Sequence, residues 1–82
     1  MVDITVKLFA AYQEAYGQPE LKLEVPPGTT VAMVGDRLRE PFPHLHALAA
    51  VTRYGINLDF VAPETVLRSG DEVVLIPPVS GG

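Results

Sequence analysis

The two most apolar segments of this sequence stand near its two ends, and both are typical of β-strands. From Val2 to Leu8, apolar residues alternate with polar ones, which predicts a strand with one buried face. The segment Glu72–Pro77 contains the continuous run Val73-Val74-Leu75-Ile76, which predicts a strand with apolar neighbours on both faces. If both strands are central in one sheet, they lie side by side, and in a two-layer fold they run parallel.

Shorter patterns fill the region between these two strands. We predict a short helix over Ala10–Tyr16 that ends at Gly17, and then a strand over Leu21–Val25 that a Pro-Pro-Gly turn closes. A principal helix follows over Val31–Leu38, with Thr29 or Thr30 as its N-cap. A helical stretch then starts at Pro43, and a strand over Arg53–Leu58 has a turn at Asn57 and Asp59. The charged residues of the principal helix, Asp36, Arg37, Arg39 and Glu40, are expected mostly to face water.

This order of elements predicts an α+β fold of the ubiquitin-like β-grasp type, a mixed β-sheet packed against one main helix. Residues 1–77 are expected to form the β-grasp domain, and residues 78–82 an extended C-terminal tail. Pro77 and Pro78 end the last strand because proline has no amide donor, and the two final glycines make the tail flexible when it is free.

Composition excludes several classes of function. The chain has no cysteine, which rules out disulfides, thiolate metal sites and a cysteine nucleophile. The net charge is −4 and no basic patch forms, so nucleic acid is a poor partner and a protein with a basic surface is a better one. Neither a leader sequence nor an apolar segment of membrane-spanning length is visible, and we expect a cytoplasmic protein.

Side chains with catalytic potential are few and poorly arranged. His44 and His46 cannot share one helix face at a spacing of two, so a metal site is not expected. Asp71 and Glu72 are neighbours at the start of a strand and point to opposite faces, which favours a role in a turn over acid–base chemistry. Ser80 has no ordered base beside it. We therefore expect no catalytic side chain and no bound cofactor.

Three apolar residues near strand ends are harder to assign. Phe9, Phe60 and Ile76 exceed what a one-sided core requires, and two alternatives are open for them. They either form an exposed patch that docks a partner, or they fill the core of a small domain.

The carboxylate of Gly82 remains as the candidate reactive group. A carboxylate is inert towards nucleophiles until its oxygen becomes a leaving group, which ATP achieves by forming an acyl-adenylate. A sulfur nucleophile from another protein can then displace AMP and leave a thiocarboxylate on Gly82. The preceding residues Pro78, Val79, Ser80 and Gly81 are small or extended, as entry into a narrow tunnel of an enzyme requires.

The chain resembles the MoaD family, the small subunits of molybdopterin synthase, and the related ThiS sulfur carriers. The resemblance covers nearly the whole chain and is most specific over its last 16 residues, including the two prolines before the final glycines. The matching segments are Leu67–Gly82, Leu8-Phe9-Ala10, Glu14-Ala15-Tyr16-Gly17, Pro26-Pro27-Gly28-Thr29-Thr30-Val31 and Asn57.

The resemblance implies a sulfur carrier for molybdenum cofactor biosynthesis. An E1-like enzyme of the MoeB type would use ATP to adenylate Gly82, and a sulfur donor protein would supply the thiocarboxylate. The tail would then enter a MoaE-like large subunit, in an expected heterotetramer, and donate sulfur to cyclic pyranopterin monophosphate. The positions that match the family's hydrophobic interface are Phe9, Phe60 and Ile76, which raises the weight of the docking patch.

Two features depart from the family pattern, and they keep other functions open. Gly35 lies inside the principal helix, and Tyr54-Gly55-Ile56 replaces a plainer apolar segment before Asn57. Within the carrier class, the alternatives are sulfur delivery to tRNA or thiazole synthesis, or conjugation to lysines as a protein modifier. An alternative of another class is a β-grasp interaction module whose tail is inert.

Overall fold

The computed structural model describes residues 1–78, which form five β-strands and three α-helices. Their bounds in chain order are β1 Val2–Leu8, α1 Ala10–Tyr16, β2 Glu20–Val25, α2 Val31–Arg39, α3 Pro43–His46, β3 Arg53–Ile56, β4 Asp59–Val61 and β5 Glu72–Ile76. The elements predicted from the sequence are all present, with ends that shift by one or two residues.

The strands form one mixed sheet in the order β2-β1-β5-β3-β4. β1 pairs with β5 in parallel, and the other pairs are antiparallel. The prediction that the first and last strands lie side by side and run parallel is therefore confirmed. With α2 as the principal helix on one face, the architecture is the ubiquitin-like β-grasp.

The core lies between α2 and one face of the sheet. Alternate residues of the two central strands are fully buried, and they pack with the apolar side of α2. These core residues are Ile4, Val6 and Leu8 of β1, Val73 and Leu75 of β5, and Val31, Val34 and Leu38 of α2. The helical spacing that predicted α2 is thus the spacing of its buried side.

The ends of the helices follow the local chemistry of the sequence. Gly17 takes a left-handed conformation, with φ of 70°, at the C-terminus of α1. Thr30 is the N-cap of α2, and its hydroxyl accepts a hydrogen bond of 3.2 Å from the backbone N–H of Met33. Pro43 stands in the first turn of α3, where its missing N–H leaves no partner unsatisfied.

Arg39 corrects the expectation that the charged residues of α2 face water. It is only 3% exposed, and its guanidinium donates hydrogen bonds to the Tyr12 hydroxyl at 3.1 Å and to the Tyr54 hydroxyl at 3.2 Å. It also forms an ion pair of 2.7 Å with Asp36. Burial alone lowers the pKa of Arg39, but the bonds to Tyr12, Tyr54 and Asp36 outweigh it and hold the pKa above its ordinary value.

The hydrogen bonds of Arg39 continue into the segment before β3. Tyr12 and Thr52 share a hydrogen bond of 2.6 Å, and the Thr52 hydroxyl donates to the Leu48 carbonyl at 2.8 Å. A hydroxyl has one proton, so Tyr12 must be the donor to Thr52. The chain of bonds runs from Arg39 through two hydroxyls to a backbone carbonyl, and it ties α2 to α1 and to the segment before β3.

The buried side chains of Tyr54 and Arg39 explain the glycine inside α2. A Cβ placed on Gly35 would lie 2.8 Å from the Tyr54 hydroxyl oxygen and 3.0 Å from a nitrogen of Arg39. Both atoms are held by hydrogen bonds, so they cannot easily move away. Gly35 is therefore present because the buried tyrosine and arginine pass directly over the helix.

The hairpin of β3 and β4 is shorter than predicted. The strand expected to reach Leu58 ends at Ile56, and Asn57 and Leu58 form the turn with φ values of 49° and 77°. Positive φ at both central residues is what a type I′ turn requires, and this turn matches the twist of the strands. β4 then occupies an edge of the sheet.

Candidate functional site

The face of the sheet opposite the core is not buried under helices. The strand register puts one row of residues across this open face: Glu20 opposite Lys7, Lys7 opposite Val74, Val74 opposite Gly55, and Gly55 opposite Phe60. The five positions belong to five different strands, so the row spans the sheet. Because side chains alternate between the two faces of a strand, all members of the row point away from the core.

A groove of about 800 Å³ follows this row towards the end of β5. Phe9, Phe60 and Ile76 all line it. Phe9 is 47% exposed and Phe60 70% exposed, whereas Ile76 is half-buried. The sequence left open whether these residues form an exposed patch or fill the core. The structure favours the exposed patch, because all three side chains line one apolar groove outside the core. Their use as a partner interface stays a prediction.

Val74 and Leu58 also line the groove, and the sequence did not single them out as part of a docking patch. Val74 lies between Lys7 and Gly55 in the row, and Leu58 stands at the tip of the hairpin with 93% of its surface exposed. Val74 was detectable, because Val73 and Leu75 point to the core and the residue between them must point the other way. No sequence pattern indicated Leu58, since its exposure follows from the turn.

Charged side chains stand at the β2 end of the groove. The Lys7 ammonium donates a hydrogen bond of 2.7 Å to the Glu20 carboxylate. This hydrogen bond raises the pKa of Lys7 and lowers the pKa of Glu20, and both side chains stay charged at neutral pH. Both side chains are partly exposed, so the pair contributes little to the stability of the fold.

Asn57 fastens the hairpin to the start of β5. Its amide nitrogen donates to the Asp71 carboxylate at 3.1 Å, and its amide oxygen accepts from the backbone N–H of Glu72 at 3.0 Å. Asp71 also accepts a bond of 2.8 Å from the backbone N–H of Arg68. Asp71 therefore serves the turn before β5, as the sequence predicted, and the hairpin tip keeps a fixed position beside the groove.

The groove ends where the predicted β-grasp domain, which closes at Pro77, meets the predicted tail, which starts at Pro78. Pro77 is buried and Pro78 is exposed, and both line the groove next to Ile76. Val79, Ser80, Gly81 and Gly82, the other residues predicted to act in the tail, lie outside the described residues.

Both histidines lie on the surface, away from any metal-ligating group that residues 1–78 form. His44 and His46 are both exposed on α3, and a ring nitrogen of His46 lies 3.2 Å from the Glu40 carbonyl oxygen. Within residues 1–78, no three histidine, aspartate or glutamate side chains are grouped as a metal site. Over the same residues, the helices are all too short or too polar to cross a membrane.

Known proteins resemble this chain both in sequence and in fold. A "Molybdopterin synthase sulfur carrier subunit" of Mycobacterium tuberculosis is 38% identical over 84 residues, covering 100% of both chains. A protein of the same name from Arabidopsis thaliana is 35% identical over 81 residues, covering 99% of this chain and 84% of the relative.

A solved structure has the same fold as well as a related sequence. The small archaeal modifier protein 1 of Methanosarcina acetivorans superposes with a TM-score of 0.75 at 31% identity, covering 100% of this chain and 98% of the other. The sequence pattern of the ThiS family matches residues 6–82, which include both the groove and the final glycines. This protein therefore belongs to the ThiS family.

Proposed function

We propose that this protein is the sulfur-carrier subunit of a molybdopterin synthase and that the carboxylate of Gly82 carries the sulfur. Its relatives in Mycobacterium tuberculosis and Arabidopsis thaliana have that name and align with at least 99% of the chain. The structural observation that supports the proposal best is the position of the groove, which runs to Pro77 and Pro78. A protein seated on the groove is adjacent to the segment that leads to Gly82.

The chemistry takes place on the main chain because the protein has no cysteine to carry a persulfide. An E1-like adenylating enzyme uses ATP to convert the Gly82 carboxylate into an acyl-adenylate and releases pyrophosphate. The terminal sulfur of a persulfide on a donor protein attacks the carbonyl carbon, and AMP leaves. A thiol then cleaves the S–S bond of the resulting acyl disulfide, so that the thiocarboxylate stays on Gly82 and the donor leaves as a disulfide with that thiol. The thiocarboxylate sulfur attacks cyclic pyranopterin monophosphate, and water hydrolyses the resulting thioester, which leaves the sulfur on the pterin and restores the carboxylate.

The docking surface supplies the second half of the proposal. Exposed Phe9 and Phe60, with half-buried Ile76, present an apolar area for the large subunit of the synthase and for the adenylating enzyme. Both partners need access to the same terminus, so they use the groove one after the other. In this scheme the carrier contributes a reactive terminus and a docking face, and the partners contribute the catalytic side chains.

Reconstitution of molybdopterin synthesis tests this proposal. The wild-type chain, loaded with sulfur and mixed with the large subunit and cyclic pyranopterin monophosphate, is expected to yield molybdopterin. A variant that lacks Gly82 is expected to keep its thermal unfolding midpoint and to yield no product. Sulfur transfer by the truncated chain would overturn the proposal.

A protein modifier is the second candidate, because the Methanosarcina acetivorans relative is named as a modifier. In that case the activated Gly82 carboxyl is joined to a lysine of another protein. The two candidates differ in the acceptor after activation. Protein adducts that require Gly82 support a modifier, whereas product formation with the pterin substrate and no adducts supports the sulfur carrier.

A further inference from the structure

We propose that Thr52 is a positioning residue for the reaction at Gly82. A buried hydrogen bond to its hydroxyl holds the segment that flanks Pro77, and Pro77 sets the direction in which the chain leaves the sheet. The reaction itself rests on the proposed function, whereas the place of Thr52 rests on contacts within residues 1–78.

Backbone hydrogen bonds between β3 and β5 do not fix the chain beyond Ile76. The last register pair of these two strands is Arg53 with Ile76. Pro77 and Pro78 follow, and proline has no N–H to donate to a neighbouring strand. The direction of the chain at this exit therefore depends on the restricted φ of proline and on the side chains that surround it.

Thr52 is the residue of the neighbouring segment that faces this exit. One step beyond the last register pair, the antiparallel order of the two strands places Thr52 opposite Pro77. Thr52 is 8% exposed and Pro77 is buried, and both line a depression of about 580 Å³ at this end of the sheet. A displacement of Thr52 therefore changes the space that Pro77 occupies.

Hydrogen bonds on two sides hold Thr52 in place. The hydroxyl of the fully buried Tyr12 donates to the Thr52 hydroxyl at 2.6 Å, and this bond is itself buried. The Leu48 carbonyl accepts both the Thr52 hydroxyl at 2.8 Å and the Thr52 backbone N–H at 2.9 Å. Since Arg39 in turn holds the Tyr12 hydroxyl at 3.1 Å, Thr52 is tied to the interior of the molecule and not only to its own turn.

The exit and the groove make separate contributions to the reaction. The groove determines how tightly a partner docks, whereas the direction of the chain at Pro77 determines how often a docked partner receives the tail. Correct placement of reacting groups changes the rate of the bound complex, and uniform binding changes KM. Loss of the positioning bond therefore lowers kcat and leaves KM nearly constant.

The test measures pyrophosphate release by the E1-like adenylating enzyme of the same organism, with the full chain as its substrate. Thr52→Val keeps the shape of the side chain and removes the hydroxyl. It is expected to lower kcat about fivefold and to change KM by less than about twofold. Thr52→Ser keeps the hydroxyl and should restore kcat. Tyr12→Phe removes the donor of the same bond and should lower kcat as Thr52→Val does, which provides a second test if Thr52→Val folds poorly.

Thr29→Val is the matched control. Thr29 is 9% exposed, its hydroxyl donates to the Pro26 carbonyl at 2.7 Å, and it lines neither the groove nor the depression at the exit. This variant should lower the thermal unfolding midpoint about as much as Thr52→Val and leave kcat unchanged.

Three results would decide against the inference. If Thr52→Val and Tyr12→Phe keep the wild-type kcat, Thr52 does not position the tail and the proposed function stands. If Thr52→Val and Thr29→Val lower kcat equally, the effect is a general loss of stability, and again only the inference fails. If the wild type is neither adenylated nor able to form molybdopterin, both the inference and the proposed function fail.

Discussion

Leu75 and Ile76 are neighbours on β5, yet they belong to the two different faces of the sheet. Leu75 is fully buried under α2, and Ile76 is half-buried in the groove on the other side. On the core face, polar groups are paired: within residues 1–78, every buried side-chain nitrogen or oxygen has a hydrogen-bond partner. On the open face, apolar side chains remain in water and Leu58 adopts a strained φ.

The difference shows that the two faces meet different requirements. The core face contains the features that stabilise a small domain, namely close packing and satisfied hydrogen bonds. The open face retains features that a stable isolated domain does not need, including two exposed phenylalanines and the exposed Leu58. We therefore expect substitutions on the core face to change the free energy of unfolding, and substitutions on the open face to change binding.

The largest expected effect is on the core face, at Leu75. Leu75→Ala should lower the free energy of unfolding by about 2–5 kcal/mol, because it leaves a cavity in the centre of the core. Ile76→Ala should lower it by about 1 kcal/mol, since part of that side chain is already in water. Urea denaturation measures the free energy of unfolding of the two variants. Equal losses of this free energy would contradict the distinction between the two faces.

Phe60→Asp should weaken partner binding more than it changes the stability of the fold. The side chain is 70% exposed, so the free energy of unfolding should change by less than about 1 kcal/mol. Loss of an exposed aromatic anchor should weaken binding to the large subunit by about 2–4 kcal/mol, measured by titration calorimetry. A collapse of the thermal unfolding midpoint would instead assign Phe60 to the core.

For Gly35→Ala, the sign of the change in the free energy of unfolding tests the packing on the core face. Alanine is the better helix former by about 1 kcal/mol, and at an exposed helix position it would stabilise the protein. Here the new Cβ would lie 2.8 Å from the Tyr54 hydroxyl oxygen, so we expect a net loss of about 1–2 kcal/mol. A gain in chemical denaturation would show that Tyr54 and Arg39 are free to move.

The smallest expected effect is that of the ion pair on the open face. The pKa of Glu20 is lowered by Lys7, so its contribution to stability is present above the ordinary value of 4.5 and is lost as the pH falls through the lowered pKa. Glu20→Gln should therefore reduce the acid dependence of the unfolding midpoint below about pH 4.5, and added salt should reduce the difference.

Glu24→Gln is the matched control, because Glu24 is on the same strand and forms no ion pair within residues 1–78. Equal acid dependence of the Glu20→Gln variant and the wild type would show that the pair does not form in solution.

Much of the core face could be predicted from the sequence because its signals are local. Alternation in Val2–Leu8, helical spacing in α2, and Gly17 as a helix stop each fix one element. The burial of Arg39 could not be predicted in this way. Its partners Tyr12 and Tyr54 are 27 and 15 residues distant in the sequence, and only the packing of α2 against α1 and the sheet brings them together.

The open face shows the same limit. Phe9, Phe60 and Ile76 were identified as excess apolar residues, but their common groove depends on the strand order. The predicted strand through Leu58 was too long because apolar residues favour strands, whereas the twist of the hairpin requires positive φ at Asn57 and Leu58. The exposed position of Leu58 is a property of the turn and not of the residue type.

The measurement that tests the sulfur-carrier proposal most directly is the intact mass of the chain after incubation with ATP, an E1-like adenylating enzyme and a sulfur donor protein. The account predicts a gain equal to the exchange of one oxygen for sulfur, localised to Gly82 by fragmentation and absent without ATP. An unchanged mass, with an adenylating enzyme proven active on another carrier of this family, would contradict it.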